Sequence, residues 1–213
     1  MGDSRANFLR SLLVEFRTGL KSIGFEYRGR SWYDKRLNTD LLGVVTLASN
    51  SYLNDPAIYI VPSVGVTHEP LEKLLAQLSG RRPGRFLPAT ISTPLGYVTP
   101  MAKFLKYTFD PRSMVANEAE TLLQTIERFG VKWMESNQSL DLLMQGLVTY
   151  KYASRDRARL RIPLIYYVKK DYASARASIT DGLREIGEER NQYSDEYRQF
   201  AAGLLKRLAT LAQ

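Results

Sequence analysis

Cysteine is absent from the 213-residue chain, and histidine occurs once, at His68. The first absence excludes disulfide frameworks, thiolate metal sites, iron–sulfur ligation and cysteine nucleophiles. The second excludes multi-histidine metal sites. It also confines any serine–histidine pair to His68, for which no Gly-x-Ser-x-Gly elbow supplies the serine. No Asp or Glu is followed two positions later by Lys, so the carboxylate-x-lysine core of restriction-type nucleases is missing. Long apolar runs are lacking too: Leu41 to Ala48 and Ala57 to Val66 fall well short of the roughly 18 to 20 residues that span a bilayer. The opening stretch is broken by Asp3, Arg10, Glu15 and Arg17, which interrupt the apolar core a secretion signal needs. These absences lead to the expectation of a cytoplasmic protein with no membrane span, no cofactor, no metal site and no catalytic residues.

Hydrophobic residues make up 44% of the chain and charged residues 24%, close enough to globular averages that a self-supporting core is expected. The net charge is +8. Residues 1–107 carry 14 basic and 8 acidic side chains and residues 108–213 carry 16 and 14, so most of the excess lies in the first half. Such a balance favours acidic partners through long-range attraction.

Apolar positions Phe8, Leu12, Phe16 and Leu20 recur at helical spacing, with Ser4 placed to cap and Gly24 placed to stop the helix. Phe25 to Leu37 reads as two short strands turning near Arg28-Gly29. The next two apolar runs, rich in β-branched residues and separated by Asn, Asp and Pro, predict the central strands. Pro62 lacks a ladder donor, so the second of these is expected to be bulged or to lie at an edge. Glu69 to Leu78 predicts a short helix closed by Gly80, and Ala89 to Phe109 one or two more strands. Beyond Pro111 the spacing turns helical, ending in three segments near 156–169, 172–188 and 193–211. The expected fold is α+β: an N-terminal helix and a mixed or antiparallel sheet within 1–110, and a helical region over 111–213 packed on the sheet as one unit.

Three groups of residues stand out. Gly24 to Ser31 has the outline of a phosphate-binding loop, but it follows a helix and is filled with bulky strand formers, so a hairpin is expected. Arg155, Arg157, Arg159 and Arg161 alternate, and residues 151–170 hold seven basic side chains against Asp156 alone. On a helix these pair only as 155/159 and 157/161. With Arg81, Arg82 and Arg85 they form a candidate nucleic-acid surface, while the six acids of residues 181–196 offer internal partners instead. Trp32, Tyr33 and Trp133 are the candidates for contact with a protein partner, tryptophan above all being enriched at interface hot spots.

The segments LKSIGFEYRGRSWYDKR, GVVTLASNS and IVPSVGV, together with ETLLQTIERFGVKWMES, resemble a bacterial family that carries only a domain-of-unknown-function label. The likeness spans roughly residues 8 to 145. It implies an α+β fold and small accessory proteins, some suspected of toxin immunity, and no catalytic residues. TLASNS stands where that family usually carries a glutamine, and Pro62-Ser63 where it has an asparagine. Tyr167, Asp171, Tyr172, Ala175, Gly182 and Leu183 are similar in spacing to one tetratricopeptide hairpin, with Lys170 at the usual glycine. The leading expectation is a non-enzymatic binding or regulatory protein with a protein partner. Nucleic-acid binding is the alternative.

Overall fold

The computed structural model describes residues 2–50, 52, 55–84, 86–112, 116–149, 151 and 154–211. Helix α1 (Gly2–Ser22) leads into strands β1 (Glu26–Gly29), β2 (Trp32–Arg36), β3 (Leu41–Asn50) and β4 (Ile58–His68). Helix α2 (Glu69–Leu78) and strands β5 (Ile91–Pro94) and β6 (Tyr107–Phe109) follow. The rest is helical: α3 (Ala116–Thr125), α4 (Lys132–Glu135), α5 (Leu140–Val148), α6 (Arg155–Val168), α7 (Tyr172–Ile186) and α8 (Gln192–Thr210). A π-helical turn, Ile126–Val131, joins α3 to α4. The fold is α+β, with a six-stranded antiparallel sheet in the order β1-β2-β3-β4-β5 and β6 paired to β4.

Contacts divide the chain into two compact units, each discontinuous in sequence. One comprises residues 1–66 and 92–138, the other 67–91 and 139–213. The chain therefore passes between units three times rather than once near residue 110.

In the first unit α1 buries Leu12, Phe16 and Leu20, the stripe its spacing predicts. Phe16 meets Phe109 of β6 edge-on, with ring centroids 5.5 Å apart, an arrangement the ring quadrupoles favour. Gly130 lies in the π-helical turn. A Cβ there would sit 3.0 Å from Val64 and 3.3 Å from Leu95, so its bare backbone is what lets this turn approach the sheet. The helix starts at Gly2, which places Ser4 inside α1 and not at its cap.

The β1–β2 hairpin turns at Arg30 and Ser31, two residues beyond the expected position. Both have positive φ, 48° and 60°, the geometry of a two-residue I′ turn whose twist matches that of the strands. Asp34 and Gly29 frame this hairpin, with Arg28 Nε 2.9 Å from the Asp34 carboxylate, so the outline of a phosphate loop is filled by strand pairing.

The edge position expected of the strand that holds Pro62 is corrected. Strand β4 has β3, β5 and β6 as neighbours and is interior, and buried and half-buried residues alternate without a break from Ile58 to Val64. Pro62 lies just past the Ile58–Ile60 stretch that pairs with β6.

In the second unit α2 packs against α6 and α8, and α6 against α5 and α7. The core is Leu71, Leu75, Leu143, Leu164, Ile179 and Phe200. Gly182 of α7 faces Tyr197 of α8 so closely that a Cβ would lie 2.1 Å from the phenolic oxygen. The α6–α7 link is a Schellman closure: the Lys170 N–H donates to Tyr167 O (3.0 Å) and the Asp171 N–H to Tyr166 O (2.9 Å). Lys170 takes the left-handed conformation at φ 63°, where glycine is the usual occupant.

Candidate functional site

The alternating arginines sit on α6 and part into two pairs, as a period of 3.6 dictates. Arg155 and Arg159 both reach Glu185 of α7, at 3.2 and 2.6 Å. Hydrogen bonding from Arg159 is the main influence holding the Glu185 carboxyl below the usual carboxylate range.

On another face, Arg161 forms a buried bidentate pair with Glu72 of α2. Its Nε donates to Oε1 at 2.7 Å and its Nη2 to Oε2 at 2.8 Å, with 4% of the arginine side chain exposed and none of the glutamate. Bidentate geometry of this kind offsets the cost of removing both charges from water. Thr90 Oγ1 donates a third bond to Glu72 Oε1 at 2.9 Å and accepts the His68 N–H at 3.0 Å. His68 itself caps α2, its Nδ1 accepting the Leu71 N–H at 3.2 Å. The single histidine is thus a structural cap at the foot of a buried ionic network.

A pocket of about 350 Å³ opens beside this pair. Arg81 and Arg82 of the loop after α2, Arg157 and Arg161 of α6, and the acids Glu72 and Glu196 supply its polar lining. Leu75, Phe86, Leu87 and Leu160 supply much of the apolar part. Arg81 is tied to Glu196 of α8 at 2.7 Å. Burial, and after it the like charge of Arg161, lower the Arg157 guanidinium below its ordinary range, opposed by Glu72.

Of the arginines read as a nucleic-acid surface, Arg81, Arg82, Arg157 and Arg161 are brought together at this pocket. Arg155 and Arg159 are turned to α7, where they line a different groove. Arg85 lies outside the described residues. Arg161 is consumed by Glu72 and offers no charge to a phosphate backbone. Among the described residues no group of three or more His, Asp or Glu side chains is placed to hold a metal ion. Asp34 is bound to Arg28, and Asp55 accepts the Tyr59 hydroxyl.

No protein-family model, no curated protein and no solved structure matches the chain.

The candidates for protein contact fare unevenly. Tyr33 is fully buried in the first unit, and burial pushes its phenol up to about 12. It is a core residue and not a contact residue, because its inward position on β2 alternates with that of Trp32. Trp32 and Trp133 are half-buried, on β2 and α4. The most exposed large apolar side chains grouped in one short segment lie elsewhere, in residues 95–105. Tyr97, Met101 and Phe104 are 50%, 59% and 54% exposed.

This segment is closed on itself. The Thr99 N–H and Oγ1 both donate to Gly96 O, at 3.4 and 2.8 Å, and the Ala102 N–H donates to Thr99 O at 3.0 Å. A Cβ on Gly96 would lie 2.0 Å from Lys103 O, so the two ends touch through bare backbone. Leu95 anchors one end, fully buried. In the sequence this stretch resembles turn-rich connection between strands, and periodicity carries no signal for which side chains of a closed loop face solvent.

Proposed function

We propose that the protein is a non-enzymatic binding or regulatory protein of the cytoplasm whose partner is another protein, engaged through the loop 95–105. The observation that carries this reading is the exposure of Tyr97, Met101 and Phe104 on a loop closed by its own hydrogen bonds. Aromatic residues and methionine are the types enriched in interface cores, and rigid anchors lose little entropy when they dock. Lys103 and Lys106 lie in the same stretch, which has no acid between Glu72 and Asp110. The partner surface is therefore an apolar cleft edged by carboxylates. Inhibition of a toxin is one form such a role takes, and the target in that case is acidic, since a chain of net charge +8 repels a basic one.

Nucleic-acid binding is less well supported. Arg81, Arg155, Arg159 and Arg161 are each held by a glutamate, which leaves few charges to follow a phosphate backbone.

The test is capture of partners from the cells that make the protein, with nuclease present, comparing the wild type with Phe104→Asp and with the double variant Tyr97→Ser/Phe104→Ser. A protein that is retained by the wild type and by Arg155→Gln, and is lost from both loop variants, is the expected result. Equal retention by all four proteins, or recovery of nucleic acid that salt removes, overturns the reading.

A further inference from the structure

The pocket between α2, the loop after it, α6 and α8 is independent of the loop 95–105, and its chemistry specifies a ligand. Four arginines and two glutamates line it, leaving an excess of two positive charges. The Glu72 carboxylate at its base already accepts three bonds, from Arg161 Nε, Arg161 Nη2 and Thr90 Oγ1. It has little accepting capacity left for a ligand cation. Arg161 spends three of its five N–H groups on Glu72 and on Arg157 O. The base of the pocket is consequently a donor surface.

The loop after α2 is tied at both ends. Gly80, at φ 67°, closes α2 with the Gly80 N–H bonded to Gln77 O and the Arg81 N–H to Ala76 O at 2.8 Å. Glu196 holds Arg81 at the start of the loop, and the Thr67 hydroxyl holds Pro88 O at its end, 3.3 Å away. Leu75, Phe86, Leu87 and Leu160 add an apolar lining to the charges. A volume of about 350 Å³ lies within the range of small-molecule sites.

We propose that this pocket binds a small organic anion, a carboxylate or phosphate monoester carried on an aromatic or short aliphatic body, with the anion between Arg82 and Arg157 and the body against Phe86 and Leu160. A pocket lined only by charge would take inorganic phosphate equally well. One lined only by apolar side chains would take a neutral aromatic, and this one carries both linings.

The test uses the full chain and four probes: phenyl phosphate, benzoate, inorganic phosphate and phenol, each titrated calorimetrically and by the shift in melting temperature. The expected result is saturable binding of one or both organic anions, at least about tenfold tighter than inorganic phosphate or phenol, a difference of about 1.4 kcal/mol. Arg82→Gln/Arg157→Gln weakens it about tenfold or more. Ala76→Phe, which fills the pocket without altering its charges, abolishes it. Arg155→Gln, on the other groove, leaves it as it was. The proposal is overturned if neither organic anion binds at about 1 mM, a threshold near −4.1 kcal/mol. It is equally overturned if inorganic phosphate binds as tightly, or if the charge and filling variants bind like the wild type. Because Tyr97 and Phe104 lie in a different segment, a failure here leaves the loop reading standing, and the reverse also holds.

Discussion

Glu72 and Arg161 show how much one pair of side chains can constrain. Each is buried and depends on the other to offset the cost of taking its charge out of water. Removing one partner leaves an uncompensated buried charge or an orphaned set of donors. Arg161→Met alone, or Glu72→Leu alone, is expected to lower unfolding free energy by about 3 to 5 kcal/mol. The double variant Glu72→Leu/Arg161→Met is expected to lie much closer to the wild type, since two apolar side chains fill the space with no desolvation cost. Urea unfolding of the three variants checks this through a double-mutant cycle. A double variant as unstable as the sum of the single ones would mean that the pair has no special coupling.

Among elements, the α6–α7 link joins propensity to geometry most clearly. Schellman closures favour glycine because the C′ residue must be left-handed; here Lys170 occupies that place at φ 63° and is exposed. Lys170→Gly is expected to raise stability by about 1 kcal/mol, through relief of backbone strain, and to raise the melting temperature correspondingly. A melting temperature that falls would show that the lysine side chain contributes more than its backbone costs. The same link shows which parts of the fold the sequence could reveal. Helices α2, α7 and α8 are legible to within a few residues because each carries a stripe of apolar side chains at helical spacing, with a capping residue before it or a breaker after it. The β1–β2 turn was misplaced because neither Arg30 nor Ser31 is a typical residue for positive φ, and turn chemistry is the only local signal available. The edge alternative for Pro62 fails because a missing donor argues about one hydrogen bond, whereas strand order is decided by where β5 and β6, much later in the chain, come to lie. The pocket was legible only in fragments: Arg81, Arg82, Arg157 and Arg161 attract notice as charge, but Glu72 has no signature on the sequence that marks it as their partner.

For the whole molecule, burial of phenols makes the alkaline limb of stability informative. Burial raises Tyr33 to about 12, and it raises Tyr197 as well, whereas an unfolded tyrosine ionises near 10. A folded-state pKa above the unfolded one means that the unfolded chain releases protons first, so the contribution is complete below about pH 10 and is lost as pH climbs towards 12. Each group adds up to about 1.4 kcal/mol per pH unit in that interval. Unfolding free energy measured from pH 8 to 11.5 should therefore fall more steeply in the wild type than in Tyr33→Phe/Tyr197→Phe. Parallel curves would remove these two residues from the explanation. On the acid side the sign is opposite in origin. Bonding to Arg112 holds Asp110 down at about 2, so its stabilising effect is present above the unfolded carboxylate range and disappears as the pH drops to that value.

The interleaving of the two units also governs the order in which the protein can be made. Glu72 is 89 positions ahead of Arg161 in the chain, and the first unit has all its residues by position 138. During synthesis α2 emerges between two portions of the first unit, its carboxylate lacking a counter-charge until α6 follows. For that interval the nascent chain holds a helix whose partners do not yet exist, tethered at both ends to a unit that can already close.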